Sequence, residues 1–243
     1  MHIPKAIGAL ERDLQGIFGG RLRSIVAYGF RARADGHGDD GHAHDTPLAH
    51  TLVVVDQLTT DDLRACAGRV GSWHDAGLDT PLILAEHEFG RSLDAFPFEF
   101  GDILSDHVVV SGSNPFEGLS VDPADLRRAC EVQARGHLLH LREGYMETRG
   151  RADALAVMIV RSAPAFTAIV TSVARLKGKA PKDAGAAARL VDLALDLPAT
   201  TSSDVVALVG VREISSADAE RLFPSYLAAV ERLVNHVDLW TDA

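Results

Sequence analysis

Cysteine is scarce: the 243 residues include only two, Cys66 and Cys130, far apart in the chain and outside any C-x-x-C pair, which is no disulfide framework. Two unpaired thiols in a reducing compartment is the reading that follows, and it places the chain in the cytoplasm. Positive charge is scarce as well: 24 Lys and Arg stand against 34 Asp and Glu, a formal net charge of -10. Long nucleic acid is held by cations that neutralise phosphates, so this balance argues against it and leaves a small molecule or a protein as the expected partner. Long apolar runs are missing: the most apolar stretch, Ala154 to Val160, is closed by Asp153 and Arg161, and Met1 to Leu10 lack the tripartite pattern of a signal peptide. No export and no membrane span are therefore expected. There is no P-loop, no Gly-x-Ser-x-Gly and no Rossmann glycine fingerprint, so hydrolase and dinucleotide readings have no foothold. An Arg-x(4 to 6)-His ribonuclease motif is absent too, since Arg232 and His236 have three residues between them.

What is present is ordinary globular material, 47% apolar and 24% charged, enough for one large domain or two modest ones. Ile7, Leu10, Leu14, Ile17 and Phe18 recur at helical spacing before Gly19-Gly20 stops the pattern. Leu22 to Tyr28 and Thr51 to Val55 read as buried strands separated by a long polar stretch. A helix over Asp61 to Trp73, capped by Thr59 or Thr60, leads to a third strand at Pro81 to Ala85. Asp94 to Phe100 alternates in a way that reads as a fourth strand near an edge because of Pro97, and His107 to Val110 reads as a fifth.

From Asp122-Pro123 onward the pattern is helical only. Asp122 is a natural N-cap with proline in the first turn, and helices are expected to about Thr148, over Arg151 to Lys177, Lys182 to Leu197, Ser203 to Val209 and Ser215 to Leu239. The expected architecture is α+β: a mixed sheet with flanking helices over residues 1–121, then a helical bundle over 122–243.

The segment after the first strand, Tyr28-Gly29-Phe30-Arg31-Ala32-Arg33-Ala34-Asp35, carries the most specific signal. It resembles the DNA polymerase β-type nucleotidyltransferase superfamily, whose first strand ends in a pattern like G-S-x-A-R-G-[DE]. Gly29, Ala32, Arg33 and Asp35 match it, while Phe30 and Ala34 depart. The layout of a sheet domain followed by helices resembles aminoglycoside nucleotidyltransferases and their small relatives. The resemblance implies a triphosphate cleft in which Gly29 and Arg33 contact the nucleotide. It also implies an Asp-x-Asp pair at positions 48 and 50, and here stand Leu48 and His50.

In that chemistry paired carboxylates hold two magnesium ions that activate the attacking hydroxyl and stabilise the leaving pyrophosphate. Magnesium wants hard oxygen ligands, which leucine lacks and imidazole replaces poorly. Phe30 also removes a hydroxyl donor and adds bulk where the phosphates would lie. Asp94 is the candidate third carboxylate, a metal ligand or general base by resemblance, or else a turn-forming strand-start aspartate. The run His37-Gly38-Asp39-Asp40-Gly41-His42-Ala43-His44-Asp45 with His50 is rich in possible ligands but has no fixed zinc-like spacing.

Glu99 and Asp102 are read as structural partners, and Arg127, Arg128, Arg135 and Arg142 as a solvated helix face with Glu131 and Glu143. Two functions follow. One is a divergent transferase moving a nucleoside monophosphate from a triphosphate, with magnesium or manganese held by His50, Asp94 and Asp45. The other is a non-catalytic nucleotide-binding or interaction module, favoured because losing two ligand charges removes transition-state stabilisation that one histidine does not restore.

Overall fold

The computed structural model describes residues 6–29, 49–179, 181–198 and 200–240. It divides into two compact units, Met1–Val121 and Asp122–Ala243.

In the first unit, helix α1 (Ile7–Phe18) buries Ile7, Leu10, Leu14 and Phe18, one stripe at three- and four-residue spacing, and Gly19 ends it at φ 54°. Strands β1 (Leu22–Tyr28), β2 (His50–Val55), β3 (Leu82–Ala85) and β4 (His107–Gly112) form one sheet in the order β3-β2-β1-β4. β1 runs antiparallel to both β2 and β4, while β2 and β3 are parallel. Successive side chains point to opposite faces of a strand, and here both faces are covered. Ile25, Ala27, Val53 and Val55 pack with α1 and Trp73; Val26, Leu52 and Val54 pack with Phe89, Phe100 and Phe116. That is why β2 is an unbroken apolar run rather than an alternating one.

Two elements differ from the sequence reading. The span 61 to 73 is two helices, α2 (Thr60–Ala67) and α3 (Val70–Asp75), broken at Gly68-Arg69. The segment read as a fourth strand lies in two helices, α4 (Glu86–Ala95) and α5 (Pro97–Ser105). The buried residues Phe89, Leu93, Phe100 and Ile103 follow helical spacing. Pro97 sits in the first turn of α5, where a missing N–H costs nothing. Six residues of alternation were too short to separate period two from the ends of two helices. The sheet therefore has four strands among the described residues.

The second unit contains α6 (Pro123–Glu147), α7 (Ala152–Leu176), α8 (Ala184–Ala194), α9 (Thr201–Val206) and α10 (Ser216–Asp238). Asp122 caps α6 by accepting from the Ala124 N–H at 2.8 Å, and the Ser215 hydroxyl accepts from Asp218 at the start of α10. α7 is long and apolar enough to cross a bilayer, but it packs against α6, α8, α9 and α10 and buries Ile159, Ala163, Phe166, Val170 and Val173 among them. Inside this bundle the His137 ring and the Tyr226 hydroxyl share a hydrogen bond of 2.7 Å, and Ser162 joins the same hydroxyl at 3.0 Å.

Candidate functional site

The antiparallel register sets three polar rings in one row at one end of the sheet. Tyr28, the last residue of β1, is paired with His50 at the start of β2 and with His107 at the start of β4. Residues paired across strands share a face, and this row lies on the face that carries Val26, Leu52 and the phenylalanine cluster.

His50 is held from two sides. Its ring stacks on Tyr28 with centroids 5.5 Å apart, and its Nδ1 lies 3.1 Å from Asp79 Oδ2. Asp79 is itself fixed by the backbone: its N–H donates to the Ala49 carbonyl at 2.9 Å, and its Oδ1 accepts the Thr80 N–H at 2.8 Å. A carboxylate on Nδ1 fixes a proton on that nitrogen, so that in the neutral ring Nε2 is the acceptor, on a side chain 46% exposed. Gly29 follows at φ 78°, a conformation that favours glycine, and a Cβ there would press on the His50 ring at 3.2 Å.

At the other end of the row, His107 Nδ1 donates to the Ile103 carbonyl at 3.0 Å, and its ring packs on Phe116. Carbonyl oxygens only accept, so Nδ1 carries the proton. Burial raises the pKa of the Tyr28 hydroxyl, and the carboxylates of Asp79, Glu99 and Asp102 raise it further. Those three acids thus surround the row electrostatically, and the first unit as a whole has 9 Lys and Arg against 18 Asp and Glu.

Of the residues singled out by sequence, Gly29 and His50 come together here. Asp94 lies in the last turn of α4, exposed to solvent, and not on a strand. The two strands beside β2 are β1 and β3, and neither Leu22–Tyr28 nor Leu82–Ala85 includes a carboxylate. Phe30, Arg33, Asp45 and Leu48 lie outside the described residues. Among the described residues no three His, Cys, Asp or Glu side chains converge as a metal set. A hollow of about 330 Å³ opens at the opposite end of the sheet, between Gln15, Gly19, Arg23 and Ser111, away from this row.

Asp79, Tyr28 and His107 were not foreseen as site residues. Asp79 stands in Gly77-Leu78-Asp79-Thr80-Pro81, which reads as a turn, and nothing local announces that its carboxylate reaches an imidazole at the start of β2.

No family model matches the chain, and no curated protein sequence matches it. Among solved structures, a spectinomycin adenyltransferase from Enterococcus faecialis, crystallised with ATP and spectinomycin, is similar at a TM-score of 0.57. The match covers 96% of this chain and 99% of that one at 12% sequence identity. The fold is nucleotidyltransferase-like, a mixed sheet with flanking helices followed by a helical region.

Proposed function

We propose that this protein is a non-catalytic member of the nucleotidyltransferase-like fold, acting as a nucleotide-binding or interaction module in the cytoplasm, with a small molecule or a protein as partner. The observation that carries the reading is the His50–Asp79 pair. At the start of β2, where the resemblance calls for an aspartate, stands an imidazole, and the nearby acid spends its oxygens on that imidazole and on the Thr80 N–H. An acid so engaged is a poor ligand for hexacoordinate magnesium, and the apolar β3 supplies no replacement. The acidic surroundings also disfavour a bare triphosphate, so any nucleotide bound here depends on cations such as Arg33, Gly29 allowing close approach of its phosphates.

The alternative is an active transferase. The likeness to an adenyltransferase favours it, and in that reading His50, Asp45 and Asp94 hold manganese or magnesium while a nucleoside monophosphate passes to a hydroxyl. One pair of experiments separates the two: calorimetric titration with each nucleoside triphosphate, with and without magnesium or manganese, and a transfer assay with α-labelled triphosphate. The module reading expects no metal-dependent gain in affinity and no labelled product. Micromolar binding that needs the metal, or pyrophosphate release above the metal-free blank, would overturn it.

A further inference from the structure

Helix α6 buries Leu126, Cys130, Ala134, His137, Leu138 and Leu141 toward its neighbours. Its opposite side is not simply polar. Val132, Leu139 and Met146 stand on it 64%, 63% and 70% exposed, spaced seven residues apart. Beside them runs a second row at the same spacing, Arg128, Arg135 and Arg142, whose side chains are at least half exposed. On the other flank Gly136 leaves open space where a Cβ would stand.

Seven residues fall about 20° short of two full turns of a straight helix, so both rows drift together around α6. A partner helix wound left-handed against α6 stays on both rows at once, and the apolar row spans about 21 Å, about four turns. The arginines hold Asp125, Glu131, Asp238 and Glu231, but the guanidinium ends stay at least half exposed and such pairs are individually weak. Each guanidinium has five N–H donors, so donors remain for an incoming carboxylate.

The width of the face decides against lipid. A single file of apolar side chains with charge beside it is too narrow to sink into a bilayer, which needs a broad apolar face. An antiparallel second copy would set the arginine row against itself. We infer that the outer face of α6 is a docking surface for an amphipathic helix of a partner protein, apolar along one row and acidic along the next.

This surface is independent of the sheet-end row, and its test leaves that row untouched. The probe is a synthetic helical peptide of about 20 residues with leucine at seven-residue spacing and glutamate in the adjoining row, together with a twin carrying lysine in place of glutamate. Fluorescence anisotropy at low salt should show the glutamate peptide binding the full chain at least about tenfold more tightly than its twin, with the preference shrinking as salt rises. Leu139→Glu, and separately the double change Arg128→Gln with Arg142→Gln, should each weaken binding about tenfold without lowering the melting temperature, since all three side chains are exposed. Equal binding of the twins, no binding, or indifference to Leu139→Glu overturns the inference. So does concentration-dependent dimerisation in sedimentation velocity that Leu139→Glu abolishes, because the face would then serve a second copy of this chain.

Discussion

Acid should unfold the helical unit through one residue. His137 is buried among α6, α7 and α10, beside Phe166 and bonded to Tyr226, and burial, with the nearby His140, lowers its pKa from 6.5 to about 4. The imidazole is therefore neutral when folded and takes a proton readily only when unfolded. Between pH 6.5 and about 4 the unfolded chain binds more protons, so stability is full above this window and falls as the pH drops through it. At 1.36 kcal/mol per pH unit, the loss from His137 alone is about 3 kcal/mol, a large share of the 5–15 kcal/mol typical of a whole domain. Urea unfolding followed by far-ultraviolet circular dichroism, in half-unit steps from pH 7.5 to 4.0, measures it. His137→Leu removes the titration but keeps an apolar filling, so its stability at pH 7 falls while its slope between pH 6.5 and 4 becomes much shallower than wild type. Equal slopes in the two proteins would refute the reasoning, because acid sensitivity would then arise elsewhere.

Four further outcomes follow from the geometry. Gly112→Ala should cost several kcal/mol or prevent folding, since its Cβ would sit 1.9 Å from the Arg23 carbonyl oxygen at φ 80°, whereas Gly71→Ala, with open space around it, should be silent in thermal melts. Thr59→Ala removes the hydroxyl that accepts the Asp62 N–H at the head of α2 and should cost about 1 kcal/mol by urea unfolding. Asp62, held below the usual carboxylate range first by Arg21 and then by Thr59, adds stability above pH 4 that fades as pH falls further, and Asp62→Asn should flatten that acid limb. Asp79→Asn should leave the fold intact but free the His50 ring, visible as a tautomer change in its nitrogen-15 shifts; unchanged shifts would show that Asp79 does not orient the ring.

The architecture was legible where the pattern was long. α1, β1, β2, β3, α6, α7 and α10 all stand within a few residues of the spans read from spacing, because each repeats its apolar period several times or ends on a capping residue such as Gly19, Asp122 or Ser215. The failure over residues 94 to 100 has a local cause. Phe96, Phe98 and Phe100 alternate, yet only Phe100 is buried, and Phe96 is 55% exposed. Which aromatic is covered depends on where α4 and α5 cross the sheet, and no window of six residues holds that information. Of the candidate site, Gly29 and His50 could be found because a resemblance pointed at them. Asp79 could not, since its partner lies 29 positions away and is brought close only by the parallel pairing of β2 with β3.

Charge arithmetic at the start of β2 then limits the chemistry more than shape does. Two adjacent carboxylates present four oxygens and two negative charges to a divalent ion. His50 with Asp79 presents one charge, and the structure already gives that acid two N–H partners. Drawing the carboxylate onto a metal would strip His50 of its orienting partner and leave the Thr80 N–H without its acceptor, costs of about 1 kcal/mol each that an aspartate pair at positions 48 and 50 would not face. What remains exposed is one imidazole nitrogen with a lone pair, suited to accepting a proton or a hydrogen bond from a ligand. A sheet end with that equipment recognises a donor more readily than it anchors pyrophosphate, which is the physical content of reading this chain as a binding module.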